Sequence, residues 1–116
     1  MDKIPKFFIF PVRKYLSRNC FLNLKSQKIL SKDSIDRIRE GIAKNSKYKI
    51  VQRILLKDCS FYVQARLASN FFLKKEYQIY FANHPNKIIQ ECLFLNKHIC
   101  ESAKNILSKN PVPFST

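Results

Sequence analysis

Residues 84–110 read HPNKIIQECLFLNKHICESAKNILSKN. Advancing about 100° per residue from Ile88 places Ile88, Cys92, Leu95, Ile99, Ala103 and Ile106 on one stripe, with Ile89, Leu93, Cys100 and Leu107 on its shoulder. Pro85 suits a first helical turn and Asn110-Pro111 a stop, so the spacing predicts one amphipathic helix from His84-Pro85-Asn86 to about Ser108. Phe94 falls on its opposite side among Lys87, Glu91, Lys97, Glu101 and Lys104, and a large ring on a charged face is expected to contact a partner.

Working outward, residues 33–44 predict a second helix, capped by Ser31 or Asp33, with Ile35, Ile38 and Ile42 inward. A third fits residues 46–57, with Tyr48, Val51, Ile54 and Leu55 inward and Lys47, Lys49, Arg53 and Lys57 outward. Residues 59–82 carry two signals. Phe61, Ala65, Ala68 and Phe72 space as a helix, whereas Tyr77, Ile79 and Phe81 alternate as a short strand would; helix is the preferred reading. A single glycine, Gly41, argues against Gly-rich phosphate loops and primed hairpins alike. The expected fold is therefore mostly α, a small domain of three to four helices.

Three segments are expected: a basic, aromatic N-terminal arm over residues 1–30, a helical body over 31–109, and an extended, Pro-containing tail over 110–116. Residues 1–32 hold eight Lys and Arg against Asp2 alone. The Phe-rich run from Ile4 to Pro11 is far shorter than the roughly 20 apolar residues that span a membrane. From Val12 to Leu22 the arm can form a short amphipathic helix, with Arg13, Lys14 and Arg18 on one side. Such a segment suits a mitochondrial presequence, an anionic membrane interface or a nucleic-acid backbone, and the last is the preferred setting.

Charge points to the partner. The chain has 22 Lys and Arg against 8 Asp and Glu, a net +14 over 116 residues, and that much self-repulsion favours a polyanionic counterpart. Lysine outnumbers arginine 16 to 6, a ratio that an AT-rich coding sequence alone can produce. Arg13, Arg18 and Arg53 are accordingly the better single candidates, because a guanidinium grips phosphate bidentately.

The chemistry-bearing residues do not assemble into an enzyme. Cys20, Cys59, Cys92 and Cys100 form no CxxC pair. On a continuous helix Cys92 and Cys100 lie about 12 Å apart, beyond the roughly 7 Å that a disulfide tolerates. His98 and Cys100 diverge as metal ligands, and neither His84 nor His98 has a local partner that would make it a base for a cysteine. No catalytic residue, metal or cofactor is assigned.

The expected function is non-enzymatic RNA binding, as a ribosomal subunit or ribosome-associated factor in an intracellular, most simply cytoplasmic, setting, with mitochondria as the other compartment. Phosphate contacts are assigned to Lys6, Arg13, Lys14, Arg18, Lys25, Lys28, Lys47, Lys49, Arg53 and Lys57, base stacking to Tyr77 and Tyr80, and partner contacts to Phe94 and Phe114. The alternative is a supernumerary subunit of an organellar membrane complex, with Phe7, Phe8 and Phe10 at the lipid interface.

Overall fold

In the computed structural model, which describes residues 10–19 and 21–109, every regular element is helical. Eight short helices follow one another: α1 (Phe10–Ser17), α2 (Leu24–Leu30), α3 (Asp36–Asn45), α4 (Lys49–Leu55), α5 (Phe61–Ala68), α6 (Lys75–Ala82), α7 (Lys87–Phe94) and α8 (Glu101–Ser108). A mostly α fold is right; three to four helices is too few.

Buried amides account for the extra breaks. The single helix expected over 84–108 is two, because α7 ends at Phe94 and Cys100 becomes the N-cap of α8. At the break Asn96, 6 % exposed, donates through Nδ2 to the carbonyls of Ala68 and Asn70, both at 2.9 Å, and accepts the His98 N–H through Oδ1 at 2.9 Å. The turn happens to preserve the apolar phase, which is why periodicity runs through it. The core falls on Ile89, Leu93, Ala103 and Leu107, whereas Ile88 and Leu95 of the expected stripe are 54 % and 69 % exposed.

Asn70 makes the corresponding break between α5 and α6, donating to Ala43 and Ser46 and accepting the Phe72 N–H. Beyond it Tyr77 and Phe81 are both buried one helical turn apart, so the strand-like alternation belongs to a helix. The helix expected over 33–44 is α3, with Ile38 and Ile42 buried as read, although Asp33 accepts the Ile35 N–H rather than capping the helix.

The element starts reveal the architecture. Odd helices begin at residues 10, 36, 61 and 87 and even helices at 24, 49, 75 and 101, so a two-helix unit recurs every 25 or 26 residues. In the odd layer α1 packs on α3, α3 on α5 and α5 on α7; in the even layer α2 meets α4 and α6 meets α8. The result is a two-layer rod of 48 × 20 × 19 Å, the quasi-one-dimensional arrangement of a helical solenoid. Residues 10–30, expected within an arm, supply its first helix pair. Residues 1–9 and the tail, 110–116, lie outside the described residues.

Core residues recur in register. Leu30, Leu55, Phe81 and Leu107 form one buried column, Ile38, Val63 and Ile89 a second, and Ile42, Leu67 and Leu93 a third. Each fully buried aliphatic or aromatic side chain contributes about 1.5–3 kcal/mol of transfer free energy. Val12 precedes Ile38 in its column and is 40 % exposed, because no described helix lies before α1 to cover it. Gly41 sits where α1 approaches α3: a Cβ there would collide with Ser17 Oγ and stand 3.1 Å from the Ser17 backbone.

Polar ladders link successive units. Gln52 donates to the carbonyls of Ser46 and Phe72 and accepts the Lys74 N–H, all at 3.0 Å. Gln78 repeats this with Leu73, His98 and Cys100. Gln27 holds the equivalent place and donates to Leu22, but its buried Oε1 has no partner among the described residues. The Tyr48 N–H that would continue the pattern is taken by Ser46 Oγ at 3.3 Å.

A second ladder joins the units through Asp33, Asp58 and His84, each accepting the backbone N–H two residues ahead. Arg13 Nε donates to Asp33 at 2.9 Å and Arg39 Nε to Asp58 at 2.8 Å. At the matching positions Gln64 and Gln90 donate to the carbonyls of Asp58 and His84.

Candidate nucleic-acid interface

The outward face of each odd helix presents positions spaced i, i+3, i+4 and i+7, which share one side of a helix. On α1 and the turn that ends it these are Pro11, Lys14, Tyr15 and Arg18; on α3 they are Arg37, Glu40, Gly41 and Lys44. Because Gly41 lets α1 and α3 approach closely, the two rows stand side by side. They enclose a cleft of about 490 Å³ lined by Lys14, Arg18, Arg37, Glu40, Gly41, Lys44, Asn45 and, from α5, Arg66.

Five cations and one carboxylate face this cleft. Arg66 Nε lies 3.4 Å from Glu40 Oε1, a partly exposed surface pair of the kind that contributes at most about 1 kcal/mol. Lys14 Nζ stands 5.8 Å from the centre of the Phe10 ring. Among the described residues Arg18, Arg37 and Lys44 have no carboxylate within ion-pair distance. Uncompensated cations in a concave surface focus positive potential and raise the local concentration of anions. The charged lining suits phosphate oxygens and lacks the apolar walls of a typical small-molecule pocket.

A separate cationic surface lies on the even layer. Lys49, Arg53, Leu56, Lys57, Glu76 and Tyr77 line an open depression between α4 and α6. There Lys49 Nζ lies 2.6 Å from Glu76 Oε1, and that hydrogen bond raises the Lys49 pKa above the ordinary lysine value. Arg53 and Lys57 are exposed, and Lys28 and Lys32 occupy the equivalent positions one unit earlier. Five of the phosphate ligands expected from sequence, Lys25, Lys28, Lys49, Arg53 and Lys57, thus belong to this layer, and Lys47 is exposed in the turn between α3 and α4.

The other expected site residues scatter. Lys14 and Arg18 line the cleft, but Arg13, 18 % exposed, is committed to Asp33. Lys25 is exposed on α2, and Lys6 and Phe114 lie outside the described residues. Tyr77 is 7 % exposed and belongs to the core; Tyr80 is half-buried beside Phe81 and His84. Besides Phe94, the exposed rings on the odd helices are Tyr15, at 74 %, and Tyr62, at 58 % and stacked on Phe61. Phe94, 42 % exposed, follows Ser17, Ala43 and Ala68 in register; a large ring fits there because no described odd helix lies beyond α7.

Sequence reasoning missed Arg37, Lys44 and Arg66 as partners of Lys14 and Arg18. The signal was available as spacing: Lys14 and Glu40, Arg18 and Lys44, and Gly41 and Arg66 are 25 or 26 residues apart, the period of the fold.

Cys92 lies beside Phe71, Leu95 and Lys97, Cys100 gives its N–H to Gln78, and the His98 ring contacts Phe71 at 3.6 Å between centroids. Burial lowers the His84 pKa, and its Nδ1 accepts the Asn86 N–H. Among the described residues no three His, Cys, Asp or Glu side chains converge as metal ligands, and no helix is long and apolar enough to cross a membrane. No family model, curated protein or solved structure matches the chain.

Proposed function

We propose that the chain is a non-enzymatic RNA-binding protein that grips phosphate backbone in the α1/α3/α5 cleft and serves a ribosomal particle as subunit or associated factor. The observation that carries this reading is the cleft itself, where five cations face one carboxylate that is already paired with Arg66. The net charge of +14 supports it, because counterion release from a polyanion rewards surface cations most. Arg18, Arg37 and Lys44 act as backbone ligands, with little discrimination among base sequences.

The test is fluorescence anisotropy of a labelled RNA titrated with wild type and with the Arg18→Glu/Lys44→Glu double variant across a range of salt. Removing two phosphate contacts lowers the slope of log affinity against log salt by about 2. An unchanged slope overturns the cleft as the site. Sedimentation from native lysate addresses the particle: co-migration with ribosomal particles, abolished by RNase and loosened by salt, is expected. Migration with membranes regardless of RNase would put the membrane-complex subunit first.

A further inference from the structure

The cleft and the even-layer surface cannot serve one phosphate chain from the same side. Every cleft residue comes from an odd helix or the turn that ends it, whereas Lys28, Lys32, Lys49, Arg53 and Lys57 come from even helices or the turns that end them. Between them lies the core, with Ile38 and Ile42 on one side and Leu30, Val51 and Leu55 on the other, all at most 2 % exposed.

The rod is about 20 Å across, and side chains project beyond that. The Debye length at physiological ionic strength is about 8 Å. More than two screening lengths therefore separate the two cationic surfaces. An RNA bound to one neither neutralises the other nor strongly repels a second RNA arriving there.

The even surface shows its own register. Lys28 and Arg53 are equivalent positions of successive units, as are Lys32 and Lys57, so two rows of cations run along the rod's first half. The Lys49–Glu76 pair occupies the edge of this surface and leaves Arg53 and Lys57 facing solvent.

We infer that the protein bridges two RNA segments, one in the α1/α3/α5 cleft and a second on the α2/α4 surface of the opposite layer. This rests on the RNA-binding reading above and adds a second, independent site of the same ligand chemistry. Such a rod braces two helical segments of a folded RNA side by side.

Two short RNA hairpins, one carrying a donor dye and one an acceptor, test this with the full-length protein. Energy transfer is expected to rise while RNA exceeds protein and to fall again when protein is in excess, because each hairpin then takes its own protein. Mass photometry is expected to show complexes of one protein with two hairpins. Arg53→Gln/Lys57→Gln is expected to keep a hairpin in the cleft while transfer falls by about tenfold or more. Both side chains are exposed, and an unchanged circular dichroism melt verifies the fold.

Binding of one hairpin without transfer overturns the bridge and leaves RNA binding standing. So does an even-layer variant that weakens single-hairpin binding as much as the cleft variant, which would mean that one RNA wraps both layers. Complexes of two proteins with two hairpins also overturn it, by assigning transfer to a protein dimer. Absence of any hairpin binding overturns the RNA reading itself.

Discussion

The first two helix pairs and the last two are built on the same 25- or 26-residue unit, yet they differ in what links the units and in what they show to solvent. In the first half the linking positions hold ion pairs, Arg13–Asp33 and Arg39–Asp58; in the second they hold Gln64, Gln90 and His84. On the odd face α1 and α3 present Lys14, Arg18, Arg37 and Lys44, where α7 presents Ile88, Glu91, Cys92 and Leu95. Residues 1–58 contain 15 Lys and Arg against 5 Asp and Glu; residues 59–116 contain 7 against 3. The backbone carbonyls at the joints need a donor, and either a guanidinium or an amide supplies it. The scaffold thus constrains a few inward polar positions and leaves the outward rows free to carry charge at one end and apolar surface at the other.

The largest expected effect strikes the first half's linkage. Arg39 and Asp58 are 12 % and 8 % exposed at their side chains, and Asp58 also holds the Ser60 N–H. The hydrogen bond to Asp58 raises the Arg39 pKa. Asp58→Ala leaves a largely buried guanidinium short of its partner and is expected to cost about 3 kcal/mol in urea unfolding. An effect under about 1 kcal/mol would mean that the ion pairs and the amides are interchangeable.

Gly41→Ala comes next. The added methyl collides with Ser17, whose Oγ is tied to the Lys14 carbonyl at 2.7 Å. Pushing α1 off α3 costs about 1–3 kcal/mol, offset in part by the roughly 1 kcal/mol that alanine gains over glycine in a helix. The expected net loss of about 1 kcal/mol should come with weakened RNA binding, because the cleft needs both helices in place. A stabilised variant with intact binding would show that close approach is not what forms the cleft.

The smallest effect belongs to the second half. Burial holds the His84 pKa below its usual 6.5, so the folded protein binds this proton less readily than the unfolded chain. The contribution is full above pH 6.5 and is lost as pH falls through the folded value. His84→Asp, which copies Asp33 and Asp58, is expected to remove that part of the decline in a pH series of urea midpoints while retaining an acceptor for the Asn86 N–H. A decline that persists in the variant would assign it to other groups.

Sequence legibility followed the same division between inward and outward positions. Ile38, Ile42, Val51 and Leu55 were readable as core because each lies within one helix and repeats at 3.6 residues. The breaks at Asn70 and Asn96 were not readable, because an asparagine ends a helix there by bonding carbonyls in the preceding unit, 24 to 28 residues away, a distance no local window sees. Arg13 and Arg18 looked equivalent on one short helix; only the fold shows Arg13 spent on Asp33 and Arg18 facing a cleft. Tyr77 looked like a stacking platform because its cationic neighbours Lys74 and Lys75 stay outside while its own ring turns inward. A search for self-similarity at a 25- to 26-residue spacing would have recovered much of this.

The one-dimensional stacking carries a kinetic consequence. Each pair meets mainly its sequence neighbours, so forming the fold closes only short loops and the chain assembles quickly once any two adjacent pairs dock. Unfolding should run the other way, peeling inward from α1/α2 and α7/α8, each of which meets a neighbouring pair on one side only among the described residues. Amide hydrogens of α3 to α6 are therefore the ones expected to exchange last, and the cleft, seated on the first three odd helices, would open before the middle of the rod lets go.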